Sequence, residues 1–273
     1  MFKNSDFFDS SNWKIEKKSN PYPYAQIDNF LTTEMHNKVK ENFPDLQHFN
    51  YYKNTSKNNN VAVTINFKDL NAKTDTFWYK FGGYFVKDEF FYNFCEFYIK
   101  DIKRLYPHIY KRIKRRDYKI GIYNDSNSFD HFDVLLDFAI GINTPVTQCD
   151  TVRGAHLDNK KSLYTALCYL KDDDDLTDSG HFVVYDLKPN KSLKVGKGRS
   201  INYSDVTEIQ KIKYKSNRLA TFVNSKKSIH GVTPREVTDK LRKYFTFNAV
   251  FKEDLYKLPL LNRVQNFFSR YFK

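Results

Sequence analysis

No stretch of this 273-residue sequence approaches the roughly 18 consecutive apolar residues that a membrane-spanning helix needs, which excludes that class. Residues 1–20 are polar and charged and lack the apolar centre of a secretion signal, so no leader is expected. Cysteine is sparse: Cys95, Cys149 and Cys168 are widely spaced, odd in number and form no CxxC pair. A reduced compartment is the simplest reading, and a soluble cytoplasmic protein the expectation. Glycine is scarce as well, no internal repeat is visible, and no Gly/Pro-rich linker divides the chain. The expected organisation is a polar tail over 1–20 and one domain over 21–273.

A chain of this length can bury most of its apolar surface without a disulfide or metal staple. Aromatic residues make up 17% of it, and the net charge is +13. Such charge favours acidic partners, including nucleic acid, phosphorylated substrates and anionic lipid. The chain is, however, jointly rich in Lys, Asn, Phe, Tyr and Ile, a bias that AT-rich coding imposes without selection on function. Its basic residues are also scattered, apart from Lys111-Arg112-Ile113-Lys114-Arg115-Arg116, which suits a solvated helix end better than a phosphate-binding patch. Nucleic acid is therefore the less favoured partner.

Tyr24-Ala25-Gln26-Ile27-Asp28-Asn29-Phe30-Leu31 alternates and predicts a strand. A helix follows through about Asn42, capped by Thr32 or Thr33 and stopped by Pro44. Val61, Val63, Ile65 and Phe67 predict a second strand. Phe91, Cys95, Tyr98, Ile102, Leu105 and Tyr106 recur at helical spacing, which predicts a long helix from Asp88 to about Arg115, broken near Pro107. Beyond residue 117 the texture changes to short apolar runs between polar turns. The runs are Tyr118–Tyr123, Phe132–Ile142, Leu163–Leu170, His181–Leu187, Leu219–Val223 and Tyr244–Phe251, the pattern of a β-sandwich or barrel. Leu258, Leu261, Val264, Phe268 and Phe272 then predict a closing helix packed on the barrel. The expected class is α+β with a mainly β core: an α-rich support over 21–116, the β core over 117–252, and a C-terminal helix over 253–273.

Seven histidines are present, and His156-Leu157-Asp158-Asn159 is the most informative. In extended chain, positions i and i+2 point the same way, so His156 and Asp158 can reach one metal. A histidine from a distant strand would complete a two-histidine, one-carboxylate set, the non-haem Fe(II) pattern, with positions left for a chelating co-substrate and O2. A second HxD, His131-Phe132-Asp133, runs straight into an apolar strand and suits a plain strand start. His230 follows the strand Leu219–Val223 and precedes Arg242 by twelve residues. His181 is the runner-up for the distal ligand, but no basic residue follows it at a useful spacing within a strand.

With these motifs in place, the chain resembles the 2-oxoglutarate/Fe(II)-dependent oxygenases, especially the prolyl hydroxylase and phytanoyl-CoA hydroxylase-like branch, over roughly residues 20–252. The resemblance rests on Pro21–Leu31, His156-Leu157-Asp158-Asn159, Tyr169-Leu170, Ser179-Gly180, and His230-Gly231-Val232-Thr233-Pro234 with Arg242. It implies a double-stranded β-helix, that is, a jelly-roll or cupin-like barrel. It also implies Fe(II) on His156, Asp158 and His230, with 2-oxoglutarate and O2 as co-substrates. Arg242 matches the basic residue that pairs with the distal carboxylate of 2-oxoglutarate, with Lys243 its competitor and Thr246 four residues on. Tyr169 matches a tyrosine bonding the same carboxylate, or is an ordinary core aromatic. Departures from the family pattern are Ser179-Gly180 where Gly-Gly is usual and a slightly long spacing from His230 to Arg242.

The implied reaction is hydroxylation of a C–H bond with release of succinate and CO2; Asp158 favours this over halogenation. Arg153, Tyr123, Asn124 and Arg235 are the candidate substrate contacts, and Asn159 and Asn224 the candidates for orienting the histidines. The substrate stays open among a small molecule, a glycan and a peptide. Alternatives to the small-molecule reading are a prolyl-type protein hydroxylase, a nucleic-acid oxygenase and a non-catalytic jelly-roll binding module.

Overall fold

The computed structural model describes residues 6–49, 59–123 and 129–258. In chain order these form β1 (Lys14–Lys18), β2 (Tyr24–Asp28), α1 (Thr33–Glu41), β3 (Ala62–Asn66), α2 (Thr76–Phe85), α3 (Asp88–Phe97), α4 (Ile99–Leu105), α5 (Pro107–Arg115), β4 (Ile120–Ile122), β5 (Val134–Asn143), β6 (Ser162–Tyr169), β7 (Phe182–Leu187), β8 (Val206–Ile212), β9 (Arg218–Val223), β10 (His230–Val232) and β11 (Arg242–Phe251). No helix among the described residues is long and apolar enough to cross a membrane.

β11 shows how the sequence builds the layers. Its odd-numbered residues from Phe245 to Phe251 are apolar, and they join the main core. Its even-numbered residues Tyr244, Thr246 and Asn248 face the other way, as the two-residue period of a strand requires. The strand lies inside a large, mainly antiparallel sheet of order β1-β2-β9-β6-β11-β5-β3, with β4 parallel to β5. The outer face of this sheet packs on α2 and α3 through rings: Phe85 stacks on Phe247 at 4.9 Å, and Phe94 meets Tyr164 at 4.5 Å between centroids. Much of the aromatic content is spent here, where each ring buries a large apolar area.

A smaller sheet of order β10-β7-β8 covers the inner face. Phe182 and Val184 of β7 and Ile212 of β8 pack against Tyr24, Tyr169, Phe222 and Tyr244 of the large sheet. Isolated bridges Val146↔Thr238, Asp150↔Arg235 and His156↔His230 run residues 146–156 along the β10 side of the small sheet. The result is a mixed α+β fold, mainly sheet, with helices on one side of the large sheet.

Several elements depart from expectation. The polar tail expected over 1–20 is folded in its described part: Phe8 is fully buried, and β1 pairs with β2 from Lys14↔Asp28 to Lys18↔Tyr24. All five β1 residues are exposed, so an edge strand of this kind carries no apolar signature. The helix expected over 88–115 does break before Pro107, as expected, but a second break makes it three helices. Breaks fall at Tyr98 and Tyr106, whose hydroxyls donate to the carbonyl oxygens of Thr221 and Asn224 at 3.1 and 2.6 Å, tying the helices to the sheet. Of the two expected caps of α1, Thr32 is the one that forms, accepting from the Met35 amide at 3.2 Å. The closing helix expected over 253–273 lies, from residue 259 on, outside the described residues.

Candidate metal centre

The bridge His156↔His230 is closed by both amides, His156 N donating to His230 O at 2.8 Å and the reverse at 3.0 Å. Gly231 permits this approach: a β-carbon there would lie 2.9 Å from the Gly154 carbonyl oxygen. The bridge sets the imidazole centroids 4.2 Å apart. Asp158, two residues along extended chain from His156, turns its carboxylate to both rings. Its Oδ1 lies 3.5 Å from His156 Nε2 and 3.6 Å from His230 Nε2. One ligand atom from each of the three residues lies within 4.8 Å of the others, the one such His/Cys/Asp/Glu group among the described residues.

The remaining polar atoms of the three side chains are occupied. His156 Nδ1 is 2.8 Å from the Gly154 carbonyl oxygen, and His230 Nδ1 is 2.9 Å from that of Ser228. A carbonyl can only accept, so each ring carries a proton on Nδ1 and turns Nε2 toward the Asp158 carboxylate. Thr165 donates its hydroxyl to Asp158 Oδ2 at 2.8 Å, leaving Oδ1 toward the rings. Burial, then the neighbouring His230, lowers His156 to about 4, so it is neutral at physiological pH. Burial opposes ionisation of Asp158, but His230 and His156 outweigh it and hold the carboxyl well below the usual range. Phe222 and Phe182 pack on the His230 ring at 4.4 and 5.3 Å between centroids.

At the other end of the inner wall stands Arg242, 2% exposed. Its Nε donates to the Gly180 carbonyl oxygen at 2.8 Å and its Nη1 to Asn143 Oδ1 at 3.0 Å. Nη2 is buried without an acceptor, and so is the hydroxyl of fully buried Tyr169. The guanidinium carbon lies 4.9, 5.1 and 5.6 Å from the ring centroids of Tyr169, Tyr214 and Tyr244. Gly141 sits opposite Tyr244, where a β-carbon would strike the tyrosine ring. Burial raises the Tyr169 hydroxyl above its ordinary value, with Arg242 opposing, so it remains a donor. Two orphaned donors, one cationic, in a dry aromatic box are complementary to a carboxylate.

The other expected residues fall as follows. Lys243 points to the opposite face, paired with Asp172 at 2.8 Å. Thr246 shares the wall with Arg242 and donates to the Ala166 carbonyl oxygen at 2.8 Å. Arg153 is exposed at the metal end, and its charge acts on His156 and Asp158. Tyr123 is exposed, and Asn124 lies outside the described residues. Arg235 does not fit a substrate contact: it is 2% exposed, and its guanidinium donates to Asn60 Oδ1 and to the carbonyl oxygens of Thr144 and Lys240. Asn224 accepts from the Ser228 hydroxyl at 2.7 Å and so braces the residue whose carbonyl orients His230. The Asn159 side chain instead accepts from the Lys161 amide and reaches no imidazole. His181 Nδ1 accepts from the Tyr214 amide, and Asp133 of the second HxD is paired with Arg112 at 2.9 Å. Ser228, Gly154 and Thr165 escaped the sequence reading, because a carbonyl or hydroxyl that orients a ligand has no spacing rule of its own.

No family model matches this chain, and no curated protein does. Among solved structures it is similar to a prolyl 4-hydroxylase from Phytophthora capsici (TM-score 0.42, 14% identity, 89% of this chain and 66% of that one). It is also similar to a prolyl hydroxylase from Trichoplax adhaerens, solved with a hypoxia inducible factor oxygen degradation domain peptide fragment (TM-score 0.42, 13% identity, 85% of each chain). A third similar structure is HygX from Streptomyces hygroscopicus, with nickel, 2-oxoglutarate and hygromycin B bound (TM-score 0.40, 10% identity, 84% of this chain and 83% of that one).

Proposed function

We propose that this protein is an Fe(II)- and 2-oxoglutarate-dependent dioxygenase that hydroxylates a C–H bond of a small molecule. One observation carries the reading. His156 Nε2, His230 Nε2 and Asp158 Oδ1 are directed at one another while every other polar atom of the three side chains is engaged. Two imidazoles and one carboxylate on one side of a metal are the donor set that suits Fe(II) and leaves positions open. The unpartnered donors of Arg242 and Tyr169 fit the distal carboxylate of 2-oxoglutarate. The strand path supports a double-stranded β-helix. From β5 the chain passes to 146–156, β6, then β7 and β8, β9, β10 and β11, alternating between the two sheets.

When bound, the iron supplies dioxygen activation coupled to decarboxylation of 2-oxoglutarate, giving succinate, CO2 and a hydroxylated product. The chain's own groups do the rest. Gly154, Ser228 and Thr165 fix the ligands. Arg242 and Tyr169 orient the co-substrate, and Phe182 and Phe222 exclude water from the His230 side. Arg153, exposed beside the metal ligands, is the candidate to meet the substrate. The test is succinate release dependent on Fe(II) and 2-oxoglutarate, compared with His156→Ala. Release is expected in the wild type and lost in the variant; release that persists in His156→Ala overturns the reading.

A further inference from the structure

The proposed reaction leaves two polar groups of the inner wall without a role, Asp137 of β5 and Asn248 of β11. They are register partners, and Asn248 is also the partner of Thr165 on β6. Directly paired residues of antiparallel strands share a face, so the three side chains form a row across the sheet. The row ends at the metal centre, because Thr165 holds Asp158. At about 4.8 Å per strand, Asn248 stands roughly 5 Å and Asp137 roughly 10 Å from Thr165.

All three residues are only half-buried, although β5, β11 and β6 are interior strands. Thr246 and Leu167, next along the same wall, are also half-buried, whereas Tyr244, Tyr169 and Arg242 beyond them are buried. Burial along this wall therefore rises from the Asp137–Asn248–Thr165 row toward Arg242. Asp137 and Asn248 stand side by side on neighbouring strands, and Oδ1 of each is buried with no donor. Burial raises the Asp137 carboxyl to about 6; Asn248, the Phe138 amide and Lys68 pull it down, and Asp69 raises it further. Two adjacent acceptors, one of them an under-compensated carboxylate, are complementary to a positively charged group with several N–H donors.

We propose that Asp137 and Asn248 form the subsite for a protonated amine or guanidine of the substrate, across the sheet from Asp158. This rests on the oxygenase reading above. The separation across the wall places the nitrogen several bonds from the hydroxylated carbon, so the product is a hydroxylated amine rather than a dealkylated one.

The test uses the full chain loaded with Co(II) and 2-oxoglutarate without oxygen. It is titrated calorimetrically with L-lysine, cadaverine and glucosamine and with their N-acetylated counterparts. Saturable binding of at least one free amine is expected, with its acetylated form and the Asp137→Asn protein each about thirtyfold weaker. Asn248→Asp adds negative charge and tightens the amine. The Co(II) absorption spectrum with 2-oxoglutarate stays unchanged in both variants. Equal binding of free and acetylated forms, an Asp137→Asn protein that binds like the wild type, or no amine binding by a loaded wild type overturns the subsite. A wild type that takes up neither Co(II) nor 2-oxoglutarate overturns the oxygenase reading itself.

Discussion

Thr165 donates its hydroxyl to the Oδ2 atom of Asp158, and by occupying that oxygen it decides which one faces the imidazoles. Removing the hydroxyl while keeping the shape, as in Thr165→Val, frees the carboxylate to rotate. Metal affinity should fall by about 10- to 100-fold, the usual cost of losing an outer partner of a ligand. Thr165→Ser should restore it. Titration with Co(II) followed by its absorption measures this, and a Val variant as tight as wild type would show that Asp158 needs no support.

Arg242 predicts a separation of two bindings. Arg242→Met should leave metal affinity within about twofold, because the guanidinium touches no ligand. It should weaken 2-oxoglutarate by more than about 30-fold, the cost of truncating a buried charged hydrogen-bonding partner. Arg242→Lys should recover part of this at most, since an ammonium cannot reproduce the fork to Gly180, Asn143 and a carboxylate. The Michaelis constant for 2-oxoglutarate in succinate release is the readout.

The metal-free protein should lose stability in acid through His156. Its folded value is about 4, against an ordinary 6.5 in the unfolded chain. Between those limits the unfolded state binds the extra proton, so stability falls as pH drops from 6.5 toward 4. The full window contributes roughly 3 kcal/mol. His36 and His181 are lowered too, each chiefly by burial, and act in the same direction. Urea midpoints measured from pH 7 to pH 4 should fall less steeply in His156→Gln, and an unchanged slope would contradict the assignment.

The ring layer gives a structural prediction independent of the chemistry. Phe85 is 1% exposed and packs on Phe138, Phe245 and Phe247. Phe85→Ala should cost about 3–5 kcal/mol by loss of buried area and the cavity left behind. Chemical denaturation checks it, with metal uptake by the folded fraction unchanged.

What was legible in the sequence follows from what has a period. β5, β6, β9 and β11 are dense in apolar residues because one face of each packs in the main core, and each was located within a few residues. His156, Asp158 and His230 stood out because two of them share an extended segment and the third precedes a basic strand start. β8 was missed because four of its seven residues are exposed, and β10 because it is three residues long. α2 was missed because Gly82-Gly83 interrupts a stretch in which nearly every residue is aromatic, so no face stands out. Arg235 is a candidate substrate contact by sequence, yet the carbonyl oxygens of Thr144 and Lys240 claim it. Asp137 and Asn248, more than a hundred residues apart, become neighbours only through the register of β5 and β11.

The buried end at Arg242 has a kinetic meaning. A wall that is reached from its less buried row works in sequence: a molecule at the Arg242 end arrives before one at Asp137 and leaves after it. On the proposed reading, binding is expected to be ordered, with 2-oxoglutarate on before the amine and succinate off after the product.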